Sequence, residues 1–539
     1  MPDPHRVLII GLDGMSPEAL AMVTARGAMP TLASLRDRSA GGVLESTVPP
    51  FTCPAWPTMC TGVGPGRHGI FSFIHREWEG GRKAARIAAS TDLAAPRFWQ
   101  LAAEAGRRTA VLYVPTMYPA DHVEPLFVSG FPAPDRPGVG AIYPPQAEAA
   151  LREAIPDLQE TNVHMQVRPR ADESPEEAGL RQVREHADAE ARRVTAAFDL
   201  ATREPLDLAM VVFSFPDRVF HPYYGCVVTE GDDAPPEHLA LRAGIDAGFT
   251  RIDDAIRQLL ERFGEPATVL VVSDHGFCRK RGAFYVGECL RQAGLLRPAG
   301  LRYLLSRLTN RSGRVDDACE NLLADDPWVD PSIDWRKTKV FPAHDHERGL
   351  FVNRAGAGPS GTVAAEEADD VLERAREAVL AVRDPETGER PVRAARRREE
   401  VYHGPYVDRA PDLLLEMETG WHLRRKLASR RRGKTPLRRS EGVMGIHHPD
   451  GILLVAGSAV RDGAAFERAG IADVAATVLA LVDLAPAEAP DGRVLDEVVD
   501  CPRPRTTVTY TAPAESDRAG YSAEDEAEVA RRLEDLGYL

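Results

Sequence analysis

Val7-Leu8-Ile9-Ile10-Gly11-Leu12-Asp13-Gly14 is the stretch whose reading decides the fold. Its apolar residues run on without polar alternation, as in a strand covered on both faces, the condition of a parallel sheet. Ser16-Pro17-Glu18 then opens a helix, with Ser as N-cap, Pro at the first helical position and an acid in the positive first turn. Similar apolar strands are read at Thr109–Val114, Leu206–Phe213, Thr268–Ser273 and Gly451–Ala456, with helical patterns between them. This alternation predicts an α/β fold, a mostly parallel central sheet with helices on both faces. Ligands in such folds gather beyond the carboxyl ends of the strands.

The 539 residues fit either three or four domains of about 150 residues or one large α/β domain with insertions. The expected division is a catalytic domain over 1–500, with insertions or lid segments near 130–180, 295–345 and 395–440. A C-terminal tail over 501–539 carries a short helix, opened by a capping-box pattern at Ser522 and Asp525 and ending at Gly537. Hydrophobic residues make up 43% and charged residues 27%, which excludes disordered, collagenous and coiled-coil classes. A net charge of −15 disfavours nucleic-acid binding. No apolar run approaches the roughly 18 residues of a membrane span, and the first apolar stretch is too short for a signal-peptide core. The seven cysteines are scattered without a CxxC pair, which reads as reduced thiols in the cytoplasm.

Four segments join an acid or a histidine to a strand end: Asp13 after the first strand, Asp217 and His221 after Phe213, Asp274-His275 after the fourth strand, and His447-His448 before Gly451. Asp217 and His221, four apart, can face one way on a helix and share one cation. Together Asp13, Asp217, His221, Asp274, His275 and His447 offer three carboxylates and three imidazoles. A catalytic Zn²⁺ usually takes three protein ligands, so six suit two divalent cations, and mixed O/N donors favour Zn²⁺ or Mn²⁺. Near Thr52-Cys53-Pro54, Pro54 can occupy a first helical turn and place Thr52 at or just before the helix N-terminus, where free N–H groups favour an alkoxide and a phosphate. Cys53 is the competing nucleophile. Gly64-Pro65-Gly66-Arg67-His68-Gly69 matches a GxGxxG pattern, but no clean strand precedes it, and it reads as a turn after the Thr52 helix.

These segments resemble the alkaline phosphatase superfamily, in its type I phosphodiesterase/nucleotide pyrophosphatase branch. Within it, the chain is similar to the bacterial and archaeal group of predicted phosphohydrolases or phosphomutases. The resemblance runs through LIIGLDGM, TCPAWPTMCTGVGPGRHGIFSF, PDRVFH, VVSDHGF, GLFVNRAG, APDLLL, GIHHPDGILLVAG and the closing RRLEDLGYL, almost the whole chain. It implies an alkaline-phosphatase-like sheet and two metal sites. Asp13, Asp274 and His275 would hold the metal that also contacts Thr52 as nucleophile. Asp217, His221 and His447 would hold the metal that activates water. The family pattern sets its last ligand four residues before the Gly of GILL, which selects His447 over His448. The eukaryotic nucleotide pyrophosphatases carry Asn and His shortly after the nucleophile, where this chain has Ala55 and Trp56.

The function expected on these grounds is metal-dependent phosphate-ester hydrolysis of a small molecule through Thr52. Phosphomutase or phosphotransferase activity is the alternative within the superfamily, and a metal-stabilised binding protein without turnover is the alternative outside it. The latter has no need of an intact Thr52. Between Arg424 and Arg439, nine of sixteen residues are Lys or Arg. Only seven residues separate Arg439 from His447, so this run, with Arg430, Arg431 and Arg432, is expected near the site mouth as an attractor of anionic substrate.

Overall fold

The structure is a computed structural model describing residues 5–79, 82–155, 169–229, 236–299, 333–356, 360–425, 427, 435–440, 442–501, 505–510 and 520–535. Arg430, Arg431, Arg432 and the expected helix end at Gly537 lie outside the described residues. Two compact units separate: one drawn from Met1–Ile70, Ala89–Arg279 and Val443–Leu536, the other from Phe71–Ala88 and Lys280–Gly442.

The first unit is organised by a nine-stranded sheet. In chain order its strands are β1 (Val7–Leu12), β2 (Ala40–Glu45), β3 (Thr109–Val114), β4 (Pro125–Ser129), β5 (Ile142–Tyr143), β6 (Leu208–Phe213), β7 (Thr268–Val272), β8 (Asp450–Gly457) and β9 (Arg468–Gly470). Their spatial order is β9-β2-β8-β7-β1-β6-β3-β4-β5. β1 pairs in parallel with β6 on one side and β7 on the other, and Gly11 aligns with both Val212 and Val272. The three carboxyl ends therefore finish level. β8 runs antiparallel to both its neighbours, β7 and β2, and β5 is antiparallel to β4. The strands read from sequence all fall in this sheet, though Leu206 and Ser273 lie just beyond the observed ends. β1 is buried along its whole length, as its unbroken apolar run requires.

Helices cover both faces. On one side, Leu8, Ile10 and Leu12 of β1 and Val211 and Phe213 of β6 share a core with Phe215, Phe249 and Val183. Those last three residues come from α4 (Phe215–Val228), α5 (Pro236–Phe263) and α3 (Pro175–Ala201). On the other side, Trp56 of α2 (Thr52–Thr61) lies against Gly11, where a Cβ would meet the indole at 2.7 Å. A ribbon of Gly276–Arg279 paired antiparallel with Gly445–His448 completes the end of the sheet that matters for function.

Among the described residues, the second unit holds a two-stranded hairpin, Ile74–Glu79 with Arg82–Ile87, and two further small sheets. Gly282–Tyr285 lies between Trp421–Arg424, parallel to it, and Leu437–Arg439, antiparallel. A four-stranded antiparallel sheet joins Val340–Pro342, Gly349–Val352, Leu413–Met417 and Val392–Arg397. Phe284, Leu290, Val340, Leu350, Leu413 and Trp421 belong to its own apolar core.

The start of α4 is held by a carboxylate from another helix. Ser214 supplies no side-chain cap. Buried Glu190 of α3 instead accepts from Ser214 N at 2.7 Å, Ser214 Oγ at 2.8 Å and Phe215 N at 2.9 Å. These are the orphan donors of a helix start, and the negative charge also suits the positive end of the helix dipole. Glu190→Ala is therefore expected to cost about 2 kcal/mol and to lower the thermal midpoint. An unchanged midpoint in calorimetry would show that another group bears the cap.

Candidate metal and nucleophile site

β1, β6 and β7 are adjacent and parallel, so residues just past their ends meet at one place. Asp13 follows β1, and Asp274 and His275 follow β7. Asp217 and His221 lie in the first turns of α4, which leaves β6. β8 is antiparallel, so its amino end lies at the same edge, which is why His447 precedes its strand while the other groups follow theirs. Pairing of Phe277 with His447 in the ribbon fixes that position.

The side chains converge in two groups. Ligand atoms of Asp13, Asp274 and His275 lie within 4.8 Å of one another, as do those of Asp217, His275 and His447. His221 adjoins the second group, its Nε2 3.0 Å from His447 Nε2 and 3.4 Å from Asp217 Oδ1. His447 Nε2 is also 3.4 Å from Asp217 Oδ1. The His275 and His447 rings stack at 3.9 Å between centroids, so the groups are contiguous. His448, by contrast, is turned to the backbone N–H of Asp450 and is half-buried.

Asp274 and His275 are fully buried, and Asp13 is 3% exposed. Burial, followed by the charges of Asp274 and Asp217, pushes the Asp13 carboxyl well above its usual range, against the Trp56 hydrogen bond. Asp274 is raised as well, by burial first, with His275 opposing. Asp217 is held well below its usual range: burial acts to raise it, but His221, His447 and Arg218 outweigh that. His447 is pushed down, mainly by burial and then by the neighbouring His275. Among the described residues, Asp13 Oδ1 and Asp274 Oδ2 are buried without a hydrogen-bond donor. Buried, crowded carboxylates with idle oxygens, interleaved with imidazoles, form a donor set suited to divalent cations. The chemistry of these residues thus fits the metals expected there.

Thr52 is the first residue of α2, buried, with its Oγ1 3.2 Å from His275 Nε2. Cys53 beside it is completely buried. Trp56, one turn further on, donates from Nε1 to Asp13 Oδ2 at 3.1 Å. In the sequence Trp56 stands out as a departure from the eukaryotic pattern, and its spacing of four from Thr52 is the signal for this role. Gly14 holds a left-handed backbone (φ 73°) and donates its N–H to Asp274 Oδ1 at 3.2 Å, tying the β1 and β7 loops together. A Cβ there would meet the Phe277 ring at 2.6 Å. Arg218 is buried beside Asp217, Nη1 to Oδ2 3.5 Å, with its guanidinium over the Phe131 ring.

The glycine-rich stretch after α2 forms a short helix, Pro65–His68, closed by left-handed Gly69. His68 is buried there and braces α2. Its Nδ1 accepts from Ile70 N at 3.2 Å. Thr58 Oγ1 donates to Pro54 O at 2.8 Å, so its contact with His68 Nε2 at 3.0 Å is a donation from the ring. The imidazole is thus neutral with both nitrogens engaged, and burial lowers its pKa to about 3.

With this geometry in place, the comparisons give the class. The sequence profile of the family described as "Type I phosphodiesterase / nucleotide pyrophosphatase" matches residues 7–447. The chain belongs to that family, and its members are phosphoric ester hydrolases. The family is metal-dependent. No curated protein matches the chain. Among solved structures, human ectonucleotide pyrophosphatase / phosphodiesterase 5 is similar at 14% identity and TM-score 0.50, covering 92% of this chain and 99% of that one. Its murine counterpart matches at 14% identity and TM-score 0.48, covering 92% and 100%. Phosphonoacetate hydrolase from Sinorhizobium meliloti 1021 matches at 18% identity and TM-score 0.49, covering 84% and 90%. No helix among the described residues is long and apolar enough to cross a membrane.

The depressed pKa of His68 has a pH consequence. A His held below its ordinary value stabilises the fold above pH 6.5 and loses that contribution as pH falls towards 3. In chelator, to remove metal linkage from both proteins, the wild-type melting temperature should fall more steeply between pH 7 and about 4.5 than that of His68→Gln. Parallel curves would mean that His68 titrates normally. Trp56→Phe keeps the ring but loses the N–H to Asp13. It should weaken metal affinity about 10- to 100-fold, as loss of a ligand's hydrogen-bond partner does, and direct titration of the metal-free protein measures this.

Proposed function

We propose that the chain is a phosphohydrolase of the phosphodiesterase/nucleotide pyrophosphatase type, with Thr52 as nucleophile and two divalent cations, Zn²⁺ or Mn²⁺, as cofactors. Asp13, Asp274 and His275 are assigned to one cation, together with Thr52 Oγ1, and Asp217, His221 and His447 to the other. The observation that carries this reading is the placement of Thr52 Oγ1 3.2 Å from His275, at the amino end of a helix and beside five converging acid and histidine side chains that His221 adjoins. The substrate is a small phosphate ester. The seven scattered cysteines, with no CxxC pair, support a cytoplasmic setting.

The chemistry is in-line phosphoryl transfer. Thr52 Oγ1 gives up its proton, which ends on the leaving oxygen, and attacks phosphorus as the bond to that oxygen breaks, giving a phosphothreonine and a free alcohol. Water then attacks phosphorus on the opposite side, and the threonine hydroxyl is regenerated. When bound, the cations neutralise the equatorial oxygens and lower the pKa of the hydroxyl and of the water. The chain's own contribution is to fix geometry. Helix α2, braced by His68, holds Oγ1 at its amino end, where the helix dipole favours developing negative charge. Trp56 and Gly14 hold Asp13 and Asp274 in single orientations.

Thr52→Ala should keep both metals and lose essentially all turnover of nitrophenyl phosphate esters, while Cys53→Ala keeps it. The reverse result would move the nucleophile to Cys53. Metal analysis should return about two ions per chain, and Asp274→Asn should lower occupancy together with rate. Full activity with one ion or none would refute the two-metal centre.

A further inference from the structure

Outside the ligand-rich site, the second unit gathers positive groups around one face of a small sheet. Gly282–Tyr285 is its middle strand. Ala283 pairs with His422 on one side and with Arg438 on the other, and Tyr285 pairs with Arg424. Paired residues and residues two apart share a face, so His422, Arg424 and Arg438 project together. Arg424 and Arg438 come from the two ends of the basic run singled out in the sequence. Lys280, just before the middle strand, joins them.

A loop adds further imidazoles and a cation. The His344 and His346 rings stack at 5.9 Å, and His346 meets His422 edge-on at 6.1 Å. Arg348 in the same loop holds a left-handed backbone at φ 47°, unusual for a side chain of that size, and its carbonyl is fixed by the N–H of Leu415 at 2.7 Å. His422 is held well below its ordinary pKa by burial first, then by Arg424, Lys280, His346 and Arg348, so these groups do surround it. The Lys280 ammonium is pushed down to about 8 by burial and by Arg424 and Arg438, with Asp345 opposing.

Asp345 offsets only part of this cluster's charge. Its carboxylate already accepts from Arg424 Nη1 at 3.0 Å and from Arg425 N at 2.6 Å. Glu347, next but one, accepts from Ser72 Oγ at 2.8 Å. Among the described residues, Lys280 makes no ion pair. Three histidines at such spacing resemble a set of metal ligands, but a cation would be placed among Lys280, Arg348, Arg424 and Arg438. Coulomb repulsion decides against it. The positive charge that remains, on Lys280 and Arg438 above all, suits an anion with several oxygens that can accept from ammonium, guanidinium and imidazole at once.

We propose that Lys280, Arg348, Arg424, Arg438 and His422 form a second binding site in this protein, selective for a phosphate-bearing small molecule. The site contains none of the assigned metal ligands and does not depend on the two-metal reading. Its ligand is a free phosphate, a pyrophosphate or the phosphate tail of a larger metabolite, bound without being cleaved.

Calorimetric titration of the full-length, metal-stripped protein with inorganic pyrophosphate tests this, because stripping leaves the carboxylate-rich site repellent to anions. One binding site per chain is expected. Lys280→Met and Arg438→Gln should each weaken it about ten-fold or more, the effect of one lost charge-assisted hydrogen bond. Lys280→Arg should retain most of the affinity and guards against a folding artefact, as do unchanged melting curves. Asp274→Asn should bind pyrophosphate as the wild type does. Absence of binding to the metal-stripped wild type overturns the proposal, and so does binding that survives both Lys280→Met and Arg438→Gln.

Discussion

Three carboxylates, Asp13, Asp217 and Asp274, are buried together with three imidazoles. Carboxylates buried this way repel one another and resist ionisation, which is why Asp13 and Asp274 are both held above their usual range. Asp217 escapes because two histidines and Arg218 surround it. The asymmetry leaves the Asp13–Asp274 side short of positive charge, and Thr52 stands on that side through His275. Much of the surrounding architecture keeps this unfavourable arrangement from relaxing.

That restraint comes from the sheet and from short polar clamps. Level ends on β1, β6 and β7 bring three loops together without long excursions, and an antiparallel β8 delivers a fourth from the opposite direction. Ser273 Oγ donates to Met15 O and accepts from Ile452 N, so the β1, β7 and β8 segments are locked by one hydroxyl. Glu190 does the same for α4 from a helix that contributes no ligand. Each clamp uses a buried polar group with its partners in place, the condition under which such groups stabilise rather than weaken a core.

The same economy is visible around α2. Its ten residues include two prolines, and Pro57 lies inside the helix, where it removes one backbone donor. Packing of Trp56 against Gly11 and the His68–Thr58 contact make good what the helix lacks internally. In the second unit the balance of charge is opposite. Positive groups are concentrated on one sheet face, with their nearest carboxylate already engaged by Arg424.

The sequence by itself determined the α/β class, the strands of the central sheet and the acid and histidine positions at their ends. These are local properties: an unbroken apolar run must be buried on both faces, and polar residues at its end must lie at the sheet edge. Asp13, Asp217, His221, Asp274, His275 and Thr52 were legible for that reason, and the choice of His447 over His448 came from family resemblance. Trp56, Glu190, His68 and Lys280 were not legible in these roles. Their meaning depends on partners that can be more than a hundred residues away, as with Lys280 and Arg424, and no periodicity encodes such a pairing. Only the tertiary structure decided which charges share a low-dielectric space, because burial and distance, not residue type, set the strength of an electrostatic interaction.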